Sequence, residues 1–373
     1  MSEQKLMKNQ LGEQAVMQIS QVLKICLTDF SQQHFMNQAL TGLDTLELKQ
    51  RVEHLILVLA DYLPADFVDA ADILISVKQH WPDLVTGESW GSFTAWPLID
   101  YVAVYGLNNP ELALNVLKTL TPLFSAEFAI RPFIEQHFDI TYQHLLRWTS
   151  DADQHVRRLA SEGCRPRLPW GKRLTQFCNN PDPIFPILEQ LKDDDSLYVR
   201  RSVANNLNDI AKDHSAKVIG LCQSWFIDAS VEREWLIRHA LRNLVKLGCP
   251  EVFVLLGYTS KPQVIIPIFK LNETNLRLGL DLEIEVTLTS ETLEAQKLVI
   301  DYRIHHVKAN GLTTNKVFKW KNIILQGQQT LPLIKRHSFR VITTRQYYAG
   351  THIVEILING VTYASAEFEL HMQ

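Results

Sequence analysis

Cysteine is scarce in this sequence and follows no recognisable pattern. The 373 residues include five cysteines, an odd number, and no two of them form a Cys-x-x-Cys pair. Among the histidines, His155, His214 and His239 are too scattered to suggest a metal site. These absences argue against a disulfide framework and against a zinc site, and they favour a protein of a reducing cytoplasm.

Long apolar runs and nucleotide-binding loops are also missing. No segment approaches the roughly 20 apolar residues that span a membrane, and the polar first 20 residues lack the apolar segment of a signal peptide. Nothing resembles a glycine-rich phosphate loop or the nucleophile elbow of a hydrolase. We therefore expect a cytoplasmic protein that works without a cofactor and without a metal.

An overall positive charge is absent as well, so any surface for a polyanion must be local. The formal net charge is −4, yet between residues 147 and 173 cations outnumber acids, and this charge segregation indicates a basic face. The cations there are Arg147, Arg157, Arg158, Arg165, Arg167, Lys172 and Arg173, and the acids are Asp151, Asp153 and Glu162.

Two arginine pairs recur in similar helical segments. Arg157-Arg158 and Arg200-Arg201 each follow a valine, which predicts a buried valine and two guanidinium groups that reach outward, as phosphate contacts would. Asn205 and Asn206 follow the second pair, although asparagine is a mediocre helix former. They bond either to a polyanion or to neighbouring loops, and the sequence favours neither.

The helical part of the chain repeats internally. Helical periodicity dominates as far as Gly257, and Val156, Val199 and Ile237 align at intervals of about forty residues. This period is typical of HEAT-like helical hairpins, which stack into a solenoid with a continuous concave face. We therefore predict a mostly α protein whose residues 1–262 form a HEAT-like repeat domain.

After Pro262 the pattern changes to short alternating runs separated by turn residues. These runs predict a smaller all-β domain over residues 263–373, most simply a sandwich. Lys316, Lys319 and Lys321 surround Trp320 in one of the runs. They either grip phosphate groups or belong to an ordinary solvated hairpin.

Four long segments resemble the AlkC branch of the AlkC/AlkD family of HEAT-repeat DNA glycosylases. They are WPLIDYVAVYG at Trp96–Gly106, FSAEFAIRPF at Phe124–Phe133, ASEGCRPRLPWG at Ala160–Gly171 and VRRSVANNLNDIAKDH at Val199–His214. The strand-rich tail resembles the immunoglobulin-like domain that some AlkC members carry. The resemblance implies repair of alkylated duplex DNA by excision of cationic N3-methyladenine and N3-methylcytosine, while the lesion stays largely stacked. It also implies a location in the bacterial cytoplasm or nucleoid, and such an array could act as a monomer.

The resemblance places active-site residues at Glu127, Glu162, Trp170 and Asp209. A cationic base already leaves readily, so the remaining task is to stabilise the sugar oxocarbenium ion and to position water, which carboxylates do in glycoside hydrolysis. We expect Asp209 and Glu162 to do this and Glu127 to support one of them. Trp170 would contact the sugar or the cationic base through its ring face.

Each candidate also has a plain structural interpretation. Every carboxylate has a nearby cation in helical spacing, and Trp170 could fill space between repeats. The pairs are Glu162 with Arg158, Asp209 with Lys212 and Glu127 with Arg131, and Asp209 could instead cap a helix end.

The repeats and the arginines are also compatible with two rival functions. A non-catalytic HEAT scaffold that binds DNA or protein would explain the repeats and arginines equally well. A bifunctional lyase would need a free lysine amine, for which Lys172 and Lys212 are weak candidates. The residues expected to contact DNA are Arg157, Arg158, Arg165, Arg200, Arg201, Asn205, Asn206, Lys212, Lys316 and Lys319.

Overall fold

The computed structural model describes residues 6–81 and 93–372, with helices followed by strands. None of the helices in these two ranges is long and apolar enough to cross a membrane. The α-helices are α1 (Glu13–Cys26), α2 (Gln32–Leu40), α3 (Leu48–Ala60), α4 (Phe67–His80), α5 (Trp96–Tyr105), α6 (Pro110–Leu120), α7 (Arg131–Gln136), α8 (Phe138–Trp148), α9 (Gln154–Gly163), α10 (Thr175–Asn179), α11 (Phe185–Leu191), α12 (Leu197–Ile210), α13 (Ser215–Phe226), α14 (Val231–Ala240), α15 (Arg242–Lys246) and α16 (Pro250–Leu255). The strands are β1 (Val264–Leu271), β2 (Asn275–Arg277), β3 (Asp281–Ser290), β4 (Gln296–Val307), β5 (Thr313–Leu325), β6 (Thr330–Ser338), β7 (Gly350–Ile358) and β8 (Val361–His371). The predicted fold class, a helical-repeat array followed by an all-β domain, is confirmed.

The three helices aligned by the internal repeat lie side by side. α12 packs against both α9 and α14. The aligned residues Val156, Val199 and Ile237 are all buried, and each contributes about 1.5–3 kcal/mol by removing its side chain from water. The apolar positions of consecutive repeats therefore form one core, and the polar positions of α9 and α12 are brought to neighbouring places.

The chain divides into two compact units. One consists of Met1–His214 with Ala229–Ala240, and the other of Ser215–Asp228 with Leu241–Gln373. α13, α15 and α16 therefore cluster with the strands, while α14 clusters with the earlier helices. The boundary predicted at residue 262 marks the change from helix to strand, which falls inside the second unit.

The strands form two sheets around one apolar core. One sheet has the order β1-β3-β6 and the other has the order β2-β8-β7-β4-β5. The neighbouring strands pair antiparallel, except that β2 runs parallel to β8. Alternate residues of both sheets, including Ile284, Leu298, Val354 and Phe368, are buried together, as the period of two requires. The predicted sandwich is confirmed.

Candidate active site

Two predicted carboxylates lie in the last turns of neighbouring helices. Glu162 is the next-to-last residue of α9, and Asp209 is the next-to-last residue of α12. They are 4% and 2% exposed. The C-terminal end of a helix carries partial negative charge, so an acid there costs about 0.3–1 kcal/mol relative to a neutral residue. Helix stability does not explain either carboxylate.

Arg165 joins the two carboxylates. Its Nη1 lies 2.6 Å from Oε1 of Glu162, and its Nε donates to Oδ2 of Asp209 at 2.8 Å. Arg165 belongs to the loop after α9, and its side chain is 8% exposed. It therefore lies inside the candidate site as the bridge between two acids, and its predicted contact with DNA stays a prediction.

Further cations and acids extend this bridge in both directions. Arg158 lies 3.4 Å from Oε1 of Glu162 and 2.9 Å from Oε2 of Glu127, and Lys212 lies 2.9 Å from Oδ1 of Asp209. Acid and cation alternate, so three negative charges are balanced by three positive ones. We call this set the charge chain, and its members are Glu127, Arg158, Glu162, Arg165, Asp209 and Lys212.

The pKa values of two acids in the charge chain are shifted in opposite directions. Burial raises the pKa of Glu162, but Arg158, Arg165 and the Ser202 hydroxyl lower it, and the pKa ends below its usual range. Burial also raises the pKa of Glu127, and there the opposing effect of Arg158 is too small to reverse it. Glu162 is therefore held ionised, and Glu127 takes up a proton first as the pH falls.

Trp170 occupies a strained and exposed position in the loop between α9 and α10. Its φ is 62°, a left-handed conformation that costs a residue with a side chain roughly 1–2 kcal/mol. The side chain is 53% exposed, which does not fit a residue that fills space between repeats. Backbone strain of this kind is often found at functional positions.

Several contacts fix the loop that carries Trp170. Lys49 on α3 donates from Nζ to the Trp170 carbonyl at 2.5 Å. Arg167 forms two hydrogen bonds with the carboxylate of Asp213, just after α12. The loop is thereby tied both to α3 and to the end of α12 that carries Asp209.

The predicted outward reach of both arginines in each pair is wrong. Arg157 makes a bidentate ion pair with Asp194 and also donates to two backbone carbonyls. Arg200 is 9% exposed, and its Nη1 donates to the carbonyls of Asp194 and Asp195. Both guanidinium groups organise the turn before α12, while Arg201 is exposed. A local sequence of one valine and two arginines does not show which arginine side chain will form hydrogen bonds within the protein.

The asparagines and lysines of the predicted DNA-binding set also separate. Asn206 is fully buried and donates to the Ser161 carbonyl at 2.8 Å, so it is a structural residue and cannot reach DNA. Asn205 is half-buried, with its Oδ1 3.3 Å from His239. Lys212 is exposed but belongs to the charge chain, and the remaining members, Lys316 and Lys319, are exposed on β5.

The structure adds polar residues that the sequence analysis missed. Ser202 donates to Oε2 of Glu162 at 2.6 Å, and Ser125 donates to Oε2 of Glu127 at 2.9 Å. The ring of Tyr198 lies 4.6 Å from the Arg158 guanidinium carbon. Ser202 was detectable, because it lies two helical turns before Asp209 and hence on the same face of α12. No local sequence signal points to Lys49, whose contact with Trp170 is long-range.

Two known proteins are similar to this chain along nearly its whole length. The structure of Pseudomonas fluorescens alkylpurine DNA glycosylase AlkC bound to DNA containing an abasic site analog matches with a TM-score of 0.92 and 36% identity, covering 98% of this chain and 99% of that chain. The uncharacterized protein YhaZ of Bacillus subtilis is 34% identical over 365 residues, covering 98% of this chain and 99% of its own length. The family described as the C-terminal Ig-like domain of uncharacterised protein YhaZ matches residues 266–372.

The fold and the charge chain together define a helical-repeat protein with a buried acidic site and a C-terminal immunoglobulin-like domain. This domain organisation and the full-length similarity lead to one family. The chain belongs to the AlkC branch of the AlkC/AlkD family of HEAT-repeat DNA glycosylases.

Proposed function

We propose that this protein is a DNA glycosylase that hydrolyses the N-glycosidic bond of cationic N3-methylated adenine and cytosine in duplex DNA. The proposal includes cleavage without full extrusion of the damaged base. It rests on one observation above all, the pair of buried carboxylates Glu162 and Asp209 bridged by Arg165.

The bridged pair suits an oxocarbenium-like transition state. As the glycosidic bond breaks, the sugar becomes positively charged, and a preorganised carboxylate stabilises that charge without having to reorganise. The pKa of Glu162 is held low, so this acid stays negative. We assign Glu162 and Asp209 to stabilising the sugar cation and orienting the attacking water.

The other two candidates have supporting or contacting roles. Glu127 binds Arg158, which in turn contacts Glu162, so we assign it to positioning that arginine. The exposed ring of Trp170 offers a π face to the sugar or to the cationic base. A methylated base that is already cationic needs no general acid, so a raised pKa at Glu127 is not required for the chemistry.

DNA binding is assigned to exposed cations outside the charge chain. Arg201 is the exposed member of its pair, and Lys316 and Lys319 are exposed on β5, so these side chains can exchange water for phosphate at low cost. We retain Asn205 as a candidate contact. We propose residues 1–262 as the helical domain and 263–373 as the strand-rich domain. Point substitutions in each domain will show what that domain contributes.

The rival functions fit the contacts less well. A scaffold that only bound phosphate would gain nothing from carboxylates at unfavourable helix ends, since each acid repels the ligand. A lyase needs a neutral lysine amine, but Lys212 is paired with Asp209 at 2.9 Å and Lys172 with Glu135 at 2.7 Å. Both lysines therefore already have a carboxylate partner.

The test is the release of free base from methylated duplex DNA without added metal, for the wild type and Asp209→Asn. We expect the substitution to slow release by about 10²–10³-fold, as the loss of one transition-state interaction does, while DNA affinity is kept. Asp213→Asn is the matched control, because Asp213 also pairs with a loop arginine but at an exposed position. Equal rates for the two variants would refute the assigned role, and tight DNA binding with no release by the wild type would favour the scaffold.

A further inference from the structure

The C-terminal domain contains a cavity of about 130 Å³ with a strongly basic wall. A single water needs about 10–15 Å³ by the same kind of measure, so the cavity can take a small polyatomic group. Its lining includes Lys316, Phe318, His337, Arg340, Arg345 and Tyr347. We call it the basic cavity, and no carboxylate from the described residues lines it.

The cavity forms where the edges of the two sheets approach each other. β5 is the edge strand of the five-stranded sheet and supplies Lys316. β6 is the edge strand of the three-stranded sheet and supplies His337. The segment between β6 and β7 adds Arg340 and Arg345, so three separate pieces of chain direct cations towards one space.

The cations of the basic cavity lack acidic partners within the part of the chain that the structure describes. Nη1 of Arg345 is buried and has no hydrogen-bond acceptor there. Lys316 lies 5.3 Å from the centre of the Phe318 ring, and neither it nor Arg340 forms a salt bridge with a described acid. A buried donor without an acceptor is unfavourable, and an oxyanion would supply the missing acceptor.

Burial is the main cause of the low pKa values of the histidines around the cavity, and nearby cations lower them further. Burial, Arg345 and Lys316 lower the pKa of His337 to about 4, against which Asp281 acts weakly, and Lys335 adds to the lowering. Burial, Arg345, His352, His337 and Lys316 lower the pKa of His306 to about 3. Burial and Arg345 lower the pKa of His352, although its hydrogen bond with the Tyr348 carbonyl and the charge of Glu369 raise it. The acids that reach the cluster are too few to neutralise it.

We propose that the basic cavity binds a phosphate-type oxyanion, held by Lys316, Arg340 and Arg345 and floored by aromatic rings. Arginine and lysine form charge-assisted hydrogen bonds with phosphate oxygens. The phosphate comes either from the backbone of bound DNA or from a free phosphate or phosphorylated small molecule. The site stands on the geometry of the C-terminal domain and does not depend on the proposed glycosylase activity.

The first experiment is calorimetric titration of the full-length protein with inorganic phosphate at constant ionic strength. Lys316→Gln/Arg345→Gln should weaken binding at least tenfold, because it removes two charge-assisted contacts. Lys321→Gln/Arg336→Gln is the control, since it removes one cation from β5 and one from β6 without touching the cavity lining. Lys316→Gln/Arg340→Gln repeats the test with two exposed residues whose loss leaves the core intact.

Equal phosphate affinity in the wild type and both cavity variants would overturn the proposal. The second experiment finds the source of the phosphate from the salt dependence of binding to undamaged duplex DNA. A slope reduced by about 0.9 per lost contact in the cavity variants, but not in the control, identifies a DNA phosphate. An unchanged slope together with lost phosphate binding identifies a free phosphate or phosphorylated small molecule.

Discussion

Removal of Arg165 tests the central feature of the site, which is one guanidinium shared by two buried acids. Arg165→Met would leave Glu162 with Arg158 and Ser202, and Asp209 with Lys212. Loss of one partner from a buried ion pair costs about 3–5 kcal/mol. Because both carboxylates keep another partner, we expect the lower end, about 3 kcal/mol of unfolding free energy near neutral pH.

The pH dependence of this loss has a definite sign. The pKa of Glu162 is held below its unfolded value of about 4.3, so its ion pairs stabilise the fold above that pH. That stability disappears as the pH falls and the carboxylate takes up a proton. The difference between wild type and Arg165→Met should therefore be largest near neutral pH and shrink below about pH 4.

The assay is urea unfolding followed by the helical circular dichroism signal, at several pH values. Arg167→Met is the matched control, because Arg167 lies in the same loop but pairs with Asp213 at a more exposed position, where ion pairs contribute about 0–1 kcal/mol. Arg165→Lys should be intermediate, since a single ammonium cannot reproduce the forked contact with two acids. Equal losses for Arg165→Met and Arg167→Met would refute the reasoning.

Three further outcomes are expected. Trp170→Gly should change the unfolding free energy by less than about 1 kcal/mol, because relief of the positive φ offsets the greater freedom of glycine, yet it should slow base release at least tenfold in a single-turnover assay. Arg201→Gln should reduce the salt slope of DNA binding by about one, whereas Arg200→Gln should lower thermal stability and leave the slope unchanged. His306 and His337 have depressed pKa values of about 3 and about 4 in the folded state, so unfolding takes up protons at acid pH. Below about pH 6.5, the unfolding free energy of the C-terminal domain should therefore fall by up to about 1.4 kcal/mol per pH unit for each histidine. Near-UV circular dichroism would follow this fall, and an unfolding free energy that does not change with pH would contradict it.

Local patterns were sufficient for the outline of the fold. The interval between Val156, Val199 and Ile237 predicted repeated helices, because a position that must be buried recurs once in each structural unit. The change to a period of two after Pro262 predicted the strands for the same reason, since strand side chains alternate between core and solvent. Such predictions succeed because buried side chains must recur at a fixed interval along a helix, a strand or a repeat, and this interval is visible in the local sequence.

These patterns could not predict which helices belong to which compact unit. α13, α15 and α16 look like further helices of the array, yet they cluster with the strands. Helical periodicity shows that a helix has an apolar face, but it does not show which partner covers that face. The partner is decided by packing between segments far apart in the chain.

The sequence by itself determined the order of helices and strands and, through its resemblance to AlkC, the four candidate residues. Only the tertiary structure decided which charged groups meet across helices, because Asp209 lies 44 positions from Arg165 and Asp194 lies 37 positions from Arg157. It turned Arg157 and Arg200 towards the turn before α12, buried Asn206, and placed Arg165 between Glu162 and Asp209. The physical reason is that a buried charge must find an opposite charge or a hydrogen-bond acceptor, and for contacts between helices that partner is supplied by the fold rather than by the neighbouring residues.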